Sequence, residues 1–146
     1  MSVTRRAHAK WEGDLMSGKG TVRTESTALP ETAITWKARA QEPGGQTSPE
    51  ELLAAAHAAC FAMALSNGLA KAGTPATRLS TSASCTFEKV GEGFKVSRMD
   101  LEVAAKVPGL APEKFQELAK TTGESGCPIS KALTGNVAIS VKARLE

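Results

Sequence analysis

The stretch that most restricts how this chain can fold is Ser48-Pro49-Glu50-Glu51-Leu52-Leu53-Ala54-Ala55-Ala56-His57-Ala58-Ala59-Cys60-Phe61-Ala62-Met63-Ala64-Leu65. It opens like a helix. Ser48 suits the N-cap, Pro49 the first helical position, where a missing N–H costs nothing, and Glu51 the third, completing a capping box. From Leu52 to Leu65 only His57 interrupts small and apolar residues. A surface helix keeps a polar stripe; this one has none, so burial on nearly every side is expected. The run is shorter than the roughly 20 apolar residues a bilayer span needs. A core helix over 49–71, ending near Gly73 and Pro75, is the remaining reading, with a thiol in its middle.

Around that helix the pattern is mostly strand. Residues 4–12 and 20–26 read as two strands about a glycine-rich link, the first alternating Ala7, Ala9 and Trp11 with His8, Lys10 and Glu12. Residues 32–40 alternate likewise, and 41–46 is a loop by composition. Residues 79–90 and 94–105 form a hairpin around Gly91-Glu92-Gly93. A second, amphipathic helix over 112–122 carries Phe115, Leu118 and Ala119 on one face, broken by Gly123-Glu124-Ser125-Gly126. A helical turn at 127–133 and a strand at 137–145 close the chain. Hairpins without βαβ crossovers predict an α+β fold, mainly antiparallel. One sheet face cannot cover a helix apolar all round, so the economical arrangement is a homodimer with two central helices inside sheets from both chains.

At 146 residues the chain is most simply one domain, 1–146. Its net charge of +3 comes from 18 basic and 15 acidic residues spread along the sequence, with no basic run interleaved with aromatics. That gives little support for a nucleic-acid partner. The N-terminus lacks the apolar segment of a signal peptide, and no later run is a membrane candidate, so the expected location is cytoplasmic. Three cysteines in a reducing compartment speak for reactive or simply buried thiols rather than structural disulfides.

The residues themselves leave Cys60 open. Free cysteine is often a buried small hydrophobe, and mid-helix burial among alanines raises its pKa. A reactive Cys60 therefore requires a nearby cation, which its own helix does not supply before Lys71. Cys127 precedes Pro128 at the start of a helical turn, where a thiolate is favoured. Cys85 alternates with Ala83 and Phe87 on an apolar strand face and reads as structural.

Two segments together resemble a known family. Pro49-Glu50-Glu51-Leu52 with Ala55-Ala56-His57-Ala58-Ala59-Cys60-Phe61 resembles the first cysteine motif of the OsmC/Ohr thiol peroxidases, and Cys127-Pro128-Ile129-Ser130-Lys131-Ala132-Leu133 the second. His57 brings the chain nearer the OsmC branch than the Ohr branch. The resemblance implies an OsmC-like, intertwined homodimer and a cofactor-free peroxidase that reduces organic hydroperoxides, and hydrogen peroxide less well. In that reading Cys60 is the peroxidatic cysteine, Cys127 its resolving partner, Arg39 the arginine of the OsmC branch and Glu50 the carboxylate that orients it. A lipoyl-type external dithiol is the implied reductant.

Helix geometry limits these roles. Glu50 and Cys60 stand ten residues apart on one helix, about 15 Å. They cannot touch within it. If both serve one site, either an arginine spans the gap or Glu50 comes from the other subunit's helix, and composite sites at a dimer interface are the favoured expectation. Arg39 shares a strand face with Thr35 and Lys37, so to reach Cys60 it has to lie past the strand's end or beyond a bulge. His57, three residues before Cys60, lies on nearly the same face and either orients the site or is a core histidine. Two other functions stay open: a metal site from His57, Cys60 and Cys127, which lacks a fourth ligand, and a non-catalytic apolar-ligand carrier or thioesterase-like protein with a wrapped central helix.

Overall fold

The computed structural model describes all of residues 1–146, in two compact units of residues 1–52 and 53–146. In the first, β1 (Ala7–Glu12), β2 (Lys19–Thr24) and β3 (Thr32–Ile34) form an antiparallel sheet in that order. All six residues of β1 are exposed, so the half-buried strand expected from its alternation is not observed.

A helix, α1 (Trp36–Ala40), follows where an alternating strand was expected. Its start is set locally: Thr35 accepts the Ala38 N–H at 3.1 Å on its hydroxyl, and that hydroxyl donates to Gln46 Oε1 at 2.8 Å. A side-chain cap satisfying an orphan helix donor outweighs the weak period-2 preference of five residues. Arg39 therefore sits on a helix, beyond the strand.

The long helix, α2 (Pro49–Lys71), begins where its capping residues place it, with Ser48 Oγ accepting the Glu51 N–H at 3.1 Å. At 23 residues, with a stretch of mean hydropathy 1.5, it is long and apolar enough to cross a membrane by length and composition, contrary to the shorter span read from Leu52 to Leu65. The packing of one stripe, His57, Phe61, Leu65 and Leu69, marks it as a core helix, since all four are fully buried. Burial on nearly every side is not found within the chain. Ala55, Ala56 and Ala59 are exposed, and Met63 is 74% exposed.

The second unit holds a sheet ordered β4 (Arg78–Val90), β5 (Gly93–Lys106) and β6 (Ala138–Leu145). The β4–β5 hairpin turns through Gly91, whose φ of 61° suits a residue without Cβ. Alternation then puts Leu79 and Ala83 of β4, Met99, Leu101, Val103 and Ala105 of β5, and Ile139, Val141 and Ala143 of β6 on buried or half-buried positions. Phe61, Leu65 and Leu69 share one core with these residues, Met99 apart, and with Phe115 and Ala119 of α3 (Pro112–Thr121). Each large apolar side chain so buried contributes about 1.5–3 kcal/mol.

Strand β6 runs parallel to β5, which corrects the expectation of hairpins alone. Parallel neighbours need a long crossover, and residues 107–137 supply it. The crossover contains α3, a π-helical turn (Thr122–Gly126) and α4 (Pro128–Leu133). A Cβ on Gly123 would lie 2.3 Å from Val141 Cγ2, so only glycine lets this turn pass so close to β6.

Candidate active site

Residues 53–146 bring Cys60 and Cys127 together. Cys60 lies mid-way along α2 and is half-buried. Cys127 is the N-cap of α4, held extended (φ −85°, ψ 125°) as a residue before proline should be. Its N–H is satisfied by Thr122 O at 2.9 Å across the π-helical turn, and its side chain is completely buried.

The Cys60 thiol meets two groups from the second motif, the Ile129 N–H and the Cys127 thiol. Burial pushes the Cys60 pKa up; the Ile129 N–H opposes that rise, and the adjoining thiol adds to it. Ile129 is the second residue of α4, so its N–H is one that the helix cannot satisfy internally. The expectation from sequence was that this helix start would act on Cys127. Instead its donor serves Cys60, which lies mid-way along its own helix and far from that helix's N-terminus.

His57 and Ser130 tie the same two helices. His57 Nε2 and Ser130 Oγ are 2.8 Å apart, and both residues are completely buried. Burial holds the imidazole below its ordinary pKa, in the neutral form, and Nδ1 is buried without a hydrogen-bond partner. Ser130 was missed from sequence: it lies 73 residues from His57, and a helical serine carries no signal of its partner. Cys85 is half-buried opposite Met99, in the register expected of a strand residue. No group of three or more His, Cys, Asp or Glu side chains is arranged to share a metal ion.

Residues 1–52 bring Arg39 and Glu50 together. Arg39 Nε lies 3.1 Å from both Glu50 oxygens and Nη2 2.7 Å from Oε1. Glu50, in the first turn of α2, is 7% exposed. This two-pronged geometry fixes the guanidinium plane, which a lysine could not do. Phe61, next to Cys60, is turned wholly into the core; Met63, three residues beyond Cys60, stays on the surface.

Cys127 in the buried cluster and Cys60 packed against it give this α+β scaffold two cysteines close enough to suit thiol redox chemistry. The chain belongs to the OsmC family: residues 42–142 match the family profile described as OsmC-like protein. It is 37% identical over 144 residues to the Escherichia coli protein named peroxiredoxin OsmC, covering 99% of each chain. Among solved structures it resembles the Bacillus subtilis organic hydroperoxide resistance protein OhrB, at 29% identity and a TM-score of 0.69 over 97% of this chain and 98% of that one. It also resembles the Legionella pneumophila organic hydroperoxide resistance protein OsmC, described as a predicted redox protein, at 26% identity and a TM-score of 0.72 over 98% and 99%.

Proposed function

We propose that this protein reduces organic hydroperoxides to alcohols through Cys60 and Cys127, and hydrogen peroxide less well. The observation that carries the reading is the packing of Cys60 against the buried cluster that holds Cys127, where the His57–Ser130 bond ties α2 to α4. The Cys60 thiolate attacks the distal oxygen of the hydroperoxide; the O–O bond breaks, alcohol leaves and a sulfenic acid remains. Cys127 then attacks that sulfur, forming the disulfide and releasing water. An external dithiol reduces the bond and restores both thiols.

The first step needs a cation, because burial holds the Cys60 proton on. Arg39 supplies it in this reading, with Glu50 fixing the plane of its guanidinium. The working form is a homodimer with composite sites. The exposed apolar stripe of Ala55, Ala59 and Met63 supports a second copy as the missing cover. A cytoplasmic location suits a cycle that a dithiol resets.

Thiols are counted before and after one equivalent of cumene hydroperoxide, and the products mapped by mass. Two thiols lost per chain, as a Cys60–Cys127 disulfide, is the expected outcome; Cys127→Ser should complete one round and then overoxidise at Cys60. No thiol loss would instead favour the apolar-ligand carrier, and sustained dithiol-driven turnover by Cys127→Ser would remove the resolving role.

A further inference from the structure

The proposed chemistry uses two sulfurs and a cation, yet the most deeply buried polar contact in the unit that holds those sulfurs is neither. His57 and Ser130 are both completely buried and joined at 2.8 Å. Their placement relative to the thiols is symmetrical. His57 precedes Cys60 by three residues on α2, and Ser130 follows Cys127 by three on α4. His57 and Cys60 share a face of α2, and Ser130 lies in the first turn of the helix that Cys127 caps, so the bond joins the two segments that carry the chemistry.

We infer that the His57–Ser130 hydrogen bond is the positioning device that sets α4 against α2 and so keeps Cys127 and the Ile129 N–H on Cys60. The inference rests on the disulfide cycle above and adds two residues to it. Neither touches a reacting atom; both act through the place of α4.

Three observations carry it. Helix α4 spans only six residues, too few to be stable alone, so its position depends on what it is tied to. It is entered through a π-helical turn containing two glycines, Gly123 and Gly126, a connection that does not fix orientation by itself. And the cost of burying an imidazole with Nδ1 unsatisfied, where a leucine would pack without penalty, has to be offset by what Nε2 holds.

The resolution step is where the bond should matter. A sulfenic acid at Cys60 has two fates when hydroperoxide is in excess. In one, the Cys127 sulfur displaces hydroxide, which leaves as water with the thiol proton, and a disulfide forms. In the other, a second hydroperoxide oxidises the sulfenic acid to sulfinic acid and leaves as alcohol. The first depends on Cys127 being in place and the second does not. Their ratio therefore reports the position of α4 directly, separately from the rate of the first oxidation.

The test uses the full-length protein, reduced, then treated with a tenfold excess of cumene hydroperoxide, with disulfide and sulfinic acid quantified by mass. Wild type is compared with His57→Leu, Ser130→Ala, the double variant, and His57→Gln, whose amide reaches about as far as Nε2. Loss of one buried hydrogen bond with its partner left unpaired should raise the sulfinic-to-disulfide ratio about tenfold in either single variant. The double variant should equal the singles, because both remove one bond, and His57→Gln should restore most of the wild-type ratio. Wild-type ratios in folded His57→Leu and Ser130→Ala overturn the inference, as do additive effects in the double variant. Should wild type itself form no disulfide, the peroxidase cycle falls and this inference with it, a result distinct from failure in the variants alone.

Discussion

Replacing Glu50 by glutamine probes the Arg39–Glu50 pair with little change of shape. The carboxylate receives Nε on both oxygens at 3.1 Å and Nη2 at 2.7 Å, and the side chains are 33% (Arg39) and 9% (Glu50) accessible. Removing one partner of a fully buried pair costs about 3–5 kcal/mol, whereas an exposed pair contributes about 0–1. With one partner buried and the other a third exposed, about 2 kcal/mol is the reasoned value. The glutamine amide makes it worse, because its NH2 faces guanidinium donors.

Both tryptophans of the chain, Trp11 and Trp36, lie within residues 1–52. Intrinsic fluorescence thus reports the unit that carries the pair. With a urea slope of about 2 kcal/mol per molar, the midpoint should fall by roughly 1 M. A cycle of Arg39→Met, Glu50→Gln and the double variant isolates the interaction, expected at about 2 kcal/mol. Under the role proposed for Arg39, the same Glu50→Gln protein should oxidise Cys60 more slowly, since a guanidinium released from its plane would be a poorer cation for a thiolate. A coupling under about 0.5 kcal/mol, or an unchanged midpoint, would refute the argument.

Three further outcomes follow from the second unit. Burial raises the Cys60 pKa, so the rate of its oxidation by cumene hydroperoxide should climb as pH rises from neutral into the alkaline range; a flat profile would show that the thiolate is already formed. The sign for stability is opposite. The fold favours the protonated thiol, so that contribution is full below the unfolded cysteine's pKa and lost as pH rises through the folded one, and Cys60→Ser should lessen the alkaline fall in melting temperature. Gly123→Ala would drive a methyl to 2.3 Å from Val141 Cγ2, costing about 1–3 kcal/mol and lowering the melting temperature by several degrees; an unshifted melt would mean that the turn yields freely.

The elements legible in the sequence were those with local punctuation. Ser48-Pro49, Pro112 and Pro128 mark three helix starts, and Gly91 a hairpin, each fixed by neighbouring residues alone. Helix α1 was misread because Ile34 and Trp36 fit a strand's period, although Thr35 was the capping residue that should have broken the reading. The parallel pairing of β6 was available from the length of the 107–137 connection. The thiol pair was found through motif resemblance, not spacing. The Ile129 N–H on Cys60 and the Ser130 partner of His57 depend on how α4 docks, which no local pattern encodes.

The contact between Cys60 and Cys127 in the reduced chain has a consequence for what kind of redox protein this can be. A sensor needs oxidation to rearrange it, so that other molecules can tell its two states apart. Here Cys60 packs against the buried cluster that holds Cys127 while both thiols are free, so the proposed disulfide joins residues that the fold already holds near one another. In the proposed cycle such a chain would consume oxidant turnover after turnover while keeping a nearly constant face to its surroundings.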